Sequence, residues 1–340
     1  MKVIIHSYDT CCQNKSGGVQ VRIRKIEELL RNAEVETEFF STFSSDVNDC
    51  DLLHTFLATP TTSDIIASAH KAGKKVVLSS IMPTVDGWKI KMSRFFWRFH
   101  ILTQSQMVSN ALCAADCVIA ETEKESEFLQ KYYSVKKDRI VVVPNGVDVP
   151  AKLIEGNNEI YERIGGKKKY LLQVGRFDEN KNQLSVIKAM KGTGINVVFI
   201  GGADRADNGY YAKCLQEAKG CDNIHFLGWV DNKSTLLRSA YQNAEVLAVP
   251  SHFETFGLTL LEGGMAGNKL AISRTLPILE YPAFSGCRTF DPNNVDEIRE
   301  VLVASMKDAK DESLPKKLED CFSWSKVIEK HIEIYKSLIE

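Results

Sequence analysis

Two glutamates, Glu254 and Glu262, stand with seven residues between them in the segment 250–267, PSHFETFGLTLLEGGMAG. The apolar run Glu245–Val249 ahead of them reads as a buried strand. A helix starting at about Phe256 leaves Glu254 in the polar loop at the helix mouth. Glu262 then falls in the second turn, roughly 8–9 Å further along the axis at ~1.5 Å per residue. The exposed backbone N–H groups of Phe256, Gly257 and Leu258 form an anion site between the carboxylates. Such a device suits a phosphate with hydroxyl-rich groups on either side, which describes a nucleotide-sugar.

Cations for that phosphate stand elsewhere in the same half of the chain. Gly175 and Arg176 close the strand predicted at Tyr170–Val174, and Lys181 follows five residues later. Both cations belong to a strand-to-helix loop, where they could neutralise a diphosphate or simply be solvated. Gly201 and Gly202 after a strand at Asn196–Ile200, and Gly228 after one at Asn223–Leu227, mark further loops of close backbone approach. These loops and the helix mouth all fall at carboxyl ends of strands in one domain.

Composition limits what must position these residues. A chain of 340 residues, 44% hydrophobic and 26% charged, has the length for two domains with real cores. A net charge of −1 gives no global reason to expect nucleic acid as a partner. The nine cysteines are scattered without a C-x-x-C pair and read as free thiols of a reducing cytoplasm. The opening MKVIIHSY reads as a strand, not a signal peptide, and no run approaches a membrane span.

Strands are predicted at Val3–Ile5, Val35–Phe40, Asp51–Phe56, Lys75–Ser79, Asp116–Ala120 and Arg139–Val143, with helices such as 63–72 and 122–133 between them. Val19, Ile23, Ile26 and Leu30 mark one face of the first helix. The alternation predicts a parallel sheet covered on both faces. The loop Ser16-Gly17-Gly18 lacks G-x-G-x-x-G, so dinucleotide binding has little support. Gly17 and Gly18 either admit backbone amides to a diphosphate or make a tight turn. His54 ends the third strand at the ligand-binding edge of such sheets, as a site residue or a structural one.

Residues 86–102, DGWKIKMSRFFWRFHIL, interleave Trp88, Phe95, Phe96, Trp97 and Phe99 with Lys89, Lys91, Arg94 and Arg98. A basic aromatic helix of this kind reads either as a membrane-surface segment or as a helix packing its aromatics on its own sheet. Pro144–Asp148 is turn chemistry and the candidate hinge. The α/β pattern then restarts, with strands at Glu245–Val249 and Leu270–Ser273 and helices at Asn182–Met190 and Asp231–Asn243. The segment 323–340 reads as a terminal helix.

With these residues in place, the chain resembles the retaining glycosyltransferases of the GT-B fold, the family numbered four. VGRFDENKN, IGGADR, NIHFLGWV and above all PSHFETFGLTLLEGG carry the likeness in the second half. SGGVQVR, DLLHTF, VVVPNGVD and FSWSKVIEKHIEIY carry it elsewhere. The resemblance implies an α/β chain of two Rossmann-like doubly wound domains facing each other across a cleft. Residues 1–147 would bind the acceptor, with a helix of about 325–340 packing back on them, and residues 148–324 would bind the donor. Arg176 and Lys181 match the pair that binds the donor diphosphate and stabilises the leaving group. Glu262 matches the ribose ligand, and Glu254 the residue that holds sugar hydroxyls near the reacting face. The amides of Phe256, Gly257 and Leu258 would hold phosphate and sugar. Gly17 and Gly18 would close over the diphosphate, Gly202 would join the donor loops, and Val230 would meet the base with its backbone.

The chain departs from the family at Val77-Leu78-Ser79-Ser80-Ile81-Met82-Pro83, where many relatives place a histidine, so Ser79 or Ser80 would face the sugar instead. Gly263 and Gly264 follow Glu262 and are expected to loosen the helix by ~1 kcal/mol each relative to alanine. The implied reaction is retaining transfer from a nucleoside diphosphate sugar, without a cofactor or metal, to a saccharide or lipid-linked saccharide. The implied setting is the cytoplasm, with peripheral contact to the inner face of the membrane. A nucleotide-sugar 2-epimerase, a dinucleotide oxidoreductase and a non-catalytic nucleotide-sugar sensor are the rival readings.

Overall fold

The computed structural model describes residues 1–7, 18–97, 99, 101–148, 156–167, 169–203 and 209–340. Gly17 and Arg98 of the sequence-predicted residues lie outside these. The described chain divides into two compact units, Met1–Gly146 with Trp324–Glu340, and Val147–Ser323.

The first unit is built on strands β1 (Lys2–Ser7), β2 (Glu36–Phe39), β3 (Leu52–Phe56), β4 (Lys75–Ser79), β5 (Cys117–Ala120) and β6 (Ile140–Val142). They form one sheet in the order β2-β1-β3-β4-β5-β6, and each neighbouring pair is parallel. Central strands of such a sheet are buried on both faces, which is why β3 is buried at all five positions. Ile4, Leu53, Val76, Leu78 and Val118 pack with Leu112 and Leu129. Val3, Ile5, Leu52 and Val77 pack with Ile23, Ile26 and Leu30 of the helix Gly18–Asn32 and with Val327, Ile334 and Tyr335 of the helix Trp324–Ile339.

The second unit repeats the plan with β7 (Tyr170–Val174), β8 (Asn196–Ile200), β9 (Ile224–Phe226), β10 (Val246–Val249), β11 (Lys269–Ser273) and β12 (Arg288–Phe290). Their order is β12-β11-β10-β7-β8-β9, again parallel at each neighbouring pair. The edge strand β12, with two of its three residues exposed, lacks the apolar run that marks the others. Val147 N–H bonds to the Phe322 carbonyl at 2.8 Å and Val147 pairs in parallel with Ser323, so the two ends of this unit lie side by side.

Local chemistry sets the helix starts. Thr103, Thr122, Ser234 and Asn294 each accept a first-turn N–H, at Gln106, Glu125, Leu237 and Glu297 respectively. The helix Leu258–Met265 is different, because its cap position is Gly257, which offers no side chain. Gly263 and Gly264 lie where that helix packs closely on its neighbours. A Cβ on Gly263 would meet Leu247 Cδ2 at 2.4 Å, and one on Gly264 would meet Leu318 Cδ1 at 2.4 Å.

Candidate nucleotide-sugar site

The carboxyl edge of the second sheet is knitted together by backbone bonds. Phe177 N–H donates to the Gly202 carbonyl at 2.9 Å, and Gly201 N–H to the Gly228 carbonyl at 2.8 Å. The loops after β7, β8 and β9 are thereby held at one edge. Asn180 fixes the loop before the helix Leu258–Met265 to the loop after β7. Its side-chain amide donates to the Phe253 carbonyl and accepts from Phe253 N–H, both at 3.0 Å, and its carbonyl accepts from His252 N–H at 2.8 Å.

That clip brings Lys181 and Glu254 together. Lys181 Nζ donates to Glu254 Oε1 at 2.5 Å, and Ser251 Oγ donates to the same oxygen at 2.7 Å. The Lys181 side chain is 24% exposed and that of Glu254 14%, so the pair is sheltered but reachable. Arg176 stays further out at 51% exposure, with Nε donating to Asp178 Oδ2 at 2.8 Å. The other oxygen of Asp178 accepts from Lys181 N–H at 2.8 Å, so one carboxylate shapes the loop that carries both cations. Gln173 and Gln183 donate to the Lys181 and Arg176 carbonyls, each at 2.8 Å, bracing the backbone from below.

The helix mouth opens two residues later than the sequence pattern indicates. Gly257 adopts φ 108°, a left-handed conformation costly for other residues, and the helix runs from Leu258. The first-turn amides therefore belong to Leu258, Thr259 and Leu260, and Leu260 N–H is taken by the Gly257 carbonyl at 2.9 Å. The side chain of Phe256 belongs to the core. Its ring is 2% exposed and meets Tyr281 and Phe322 edge-on at 6.0 and 5.6 Å.

Glu262 keeps exposed surface, and its Oε2 accepts from Tyr241 Oη at 2.6 Å. Although its own surface is open, desolvation by the surrounding protein, with the nearby charge of Asp148, pushes its carboxyl above the usual carboxylate range. The Tyr241 bond opposes that shift. Tyr241 is itself buried and held well above the usual phenol range by desolvation and by Glu262. Val230 borders a recess of about 310 Å³ with Trp229, Leu227 and Arg163. Gly202 is buried beside the Trp229 ring.

In the first unit, Gly18 begins the helix Gly18–Asn32. The expectation that His54, Ser79 or Ser80 meets an acceptor is corrected by burial, since all three are fully enclosed. His54 Nδ1 pairs with Tyr335 Oη at 2.6 Å and Nε2 with Ser79 Oγ at 2.9 Å, while Ser80 Oγ donates to Glu125 Oε1 at 2.6 Å. They belong to a buried polar cluster under the terminal helix. That cluster also holds His331 and the ion pair of Arg22 with Glu121. Trp88, Lys89 and Lys91 are exposed. Among the described residues no group of three or more His, Cys, Asp or Glu is placed to hold a metal ion.

Known proteins share both this architecture and its sequence pattern. Residues 157–318 match the family model described as Glycosyl transferases group 1, and residues 22–150 match that of Glycosyltransferase Family 4. The chain is a member of the group 1 glycosyltransferases. Among curated relatives of this chain, the O-antigen chain mannosyltransferase C of Escherichia coli is 24% identical over 244 residues. That alignment covers 67% of this chain and 62% of the relative. The D-rhamnosyltransferase WbpZ of Pseudomonas aeruginosa is 29% identical over 177 residues, 49% of this chain and 43% of that one. The chain thus spans less than two thirds of the curated relatives it matches. Among solved structures, Anabaena HepE in complex with UDP superimposes with a TM-score of 0.78 at 14% identity, covering 99% of this chain and 100% of that one. The lipopolysaccharide outer core galactosyltransferase WaaB gives 0.72 at 16% identity, covering 99% and 100%. These likenesses establish the GT-B fold.

Proposed function

We propose that this protein transfers a glycosyl residue from a nucleoside diphosphate sugar to a hydroxyl of a saccharide or lipid-linked saccharide, with retention at the anomeric carbon. The step would serve assembly of a cell-surface polysaccharide or glycolipid. The observation that carries the reading is the convergence of Arg176, the Lys181–Glu254 pair and an uncapped helix mouth at one sheet edge.

Departure of a diphosphate needs positive charge where negative charge develops. Arg176, Lys181 and the amides of Leu258 and Thr259 supply it. Glu254 holds Lys181 in place and offers its remaining oxygen to the hydroxyls of the transferred sugar. Glu262, fixed by Tyr241, accepts from the ribose. The C–O bond from the anomeric carbon to the diphosphate breaks as the bond to the acceptor oxygen forms on the same face. The leaving phosphate oxygen takes the acceptor proton. The similarity to an O-antigen chain mannosyltransferase and a D-rhamnosyltransferase supports the reading.

A thermal-shift screen of nucleoside diphosphate sugars, followed by product analysis on the best binder with and without saccharide acceptors, tests it. Transfer product with slow hydrolysis in the absence of acceptor is expected. Conversion of the sugar to an epimer without acceptor, or binding that never turns over, would overturn it.

A further inference from the structure

The helix Gly87–Trp97 is held to the first unit on one side only. Ile90 and Ser93 are buried, Ser93 hydrogen-bonds to Thr103, and Lys91 lies over the Tyr132 ring at 5.5 Å. The opposite side carries Trp88, Met92, Phe95 and Phe96, spaced i, i+4, i+7 and i+8 along one helical stripe, and Phe99 follows in the turn just beyond the helix. Instead of packing on the sheet, the stripe faces water, with Trp88 62%, Phe95 59% and Phe99 60% exposed. The aromatics touch one another, Phe95 meeting Phe96 and Phe99 edge-on at 6.1 and 5.5 Å. Ile101 and Leu102 extend the apolar surface beyond the helix. A contiguous patch of this kind marks an interaction surface.

Charge says what covers it. On the helical wheel Lys89 lies on one flank of the stripe and Lys91 on the other, and both are exposed. Residues 86–102 carry four cations, with Arg94 and Arg98, against the single acid Asp86. A second copy docked two-fold on this stripe would set lysines against lysines. An anionic lipid surface satisfies both parts, taking the rings among its acyl chains and the lysines among its headgroups. Eleven residues rise ~16 Å at ~1.5 Å each, about half a hydrocarbon core of ~30 Å, so the helix can lie in the interface but not cross it. Among the described residues no helix is long and apolar enough to cross a membrane.

We infer that the stripe Trp88–Phe99 is a monotopic membrane contact that inserts into anionic bilayers. The inference stands apart from glycosyl transfer, because its readout is lipid binding. Flotation of the full chain with phosphatidylcholine vesicles containing about a third phosphatidylglycerol tests it, beside vesicles of pure phosphatidylcholine. Binding at least tenfold tighter to the anionic vesicles, weakening with salt, is expected. Phe95→Ser with Phe99→Ser abolishes it and Lys89→Glu with Lys91→Glu reduces it about tenfold, each at unchanged melting temperature. Brominated lipid quenches the fluorescence of Trp88, and Trp88→Phe removes that quenching. Equal binding by the Ser variants, absence of binding to anionic vesicles, or a dimer that the Ser variants dissolve in place of lipid binding would overturn the assignment.

Discussion

Lys181 Nζ and Glu254 Oε1 lie 2.5 Å apart although 73 positions separate them in the chain. The cation proposed for the diphosphate is thus positioned by the carboxylate proposed for the sugar. Lys181→Ala should lower kcat about 10²–10³-fold, the cost of removing one donor aimed at developing charge. Arg176→Ala should do the same, and its exposed side chain can be lost without harm to the fold. Glu254→Gln keeps the size but loosens Lys181, and should lower kcat less than Lys181→Ala does. The double variant then costs little beyond Lys181→Ala alone, since the pair acts as a unit. Additive losses in steady-state kinetics would separate the roles of the two groups.

The bond from Tyr241 to Glu262 makes a pH prediction. Glu262 titrates above the usual carboxylate range, and the Tyr241 bond favours its charged form. Tyr241→Phe removes that opposition and leaves desolvation and Asp148, so the carboxyl shifts further upward. Protonated Glu262 accepts fewer hydrogen bonds from a ribose. Donor affinity should therefore fall on acidification in both proteins, and at a higher pH in Tyr241→Phe than in the parent. Isothermal titration from pH 5 to 8 measures this. Superimposable profiles would remove Glu262 from the donor site.

Much of the architecture was legible because buried parallel strands announce themselves as apolar runs. Lys75–Ser79, Tyr170–Val174 and Asn196–Ile200 are read from the sequence residue for residue. β12 is not, because Arg288 and Thr289 lie at an exposed edge and leave no apolar run. The helix mouth is misread by two residues because its start is set by the left-handed backbone of Gly257, which leaves no periodicity. Asp178, Asn180, Ser251 and Tyr241 escaped notice for another reason. Each acts through a partner brought near by the fold, and only the loop order of the sheet creates those neighbours. His54 reads as an edge ligand only if it ends its strand; it is instead the middle residue of β3, and the Tyr335 that covers it from the terminal helix lies 281 positions away.

Gly263 and Gly264 oppose helix propensity to packing. Propensity alone says Gly→Ala in the helix Leu258–Met265 stabilises by ~1 kcal/mol. The added methyl would sit 2.4 Å from Leu247 or from Leu318, both buried without exposure, so neighbours in a filled core must move. Overpacking of that kind costs ~1–3 kcal/mol. Each alanine variant should therefore lower the melting temperature. A raised melting temperature would mean that the core yields and propensity wins.

Acid should loosen the first unit before it titrates ordinary carboxylates. Burial pushes His331 down to about 4, with the charge of Arg22 acting the same way against the hydrogen bond to the Val327 carbonyl. His54 lies well below its usual value through burial, His331 and Arg22, and burial holds half-buried His6 at about 4. In each case the unfolded chain binds protons that the folded chain refuses, so stability rises with pH across this window. For His331 and His6 it is full above about pH 6.5, falls as pH drops toward 4, and levels off below, while His54 acts in the same direction. For His331 alone the change is on the order of 3 kcal/mol at ~1.4 kcal/mol per pH unit. The terminal helix carries both His331 and Tyr335, the partner of His54, so its release should accompany the loss. Hydrogen exchange in 324–339 at pH 7 and pH 5 measures that release, and melting curves across the range measure the slope. His331→Leu should flatten the slope whatever it does to absolute stability, because it deletes one of the titrating groups. A slope unchanged in that variant would assign the acid sensitivity to other groups.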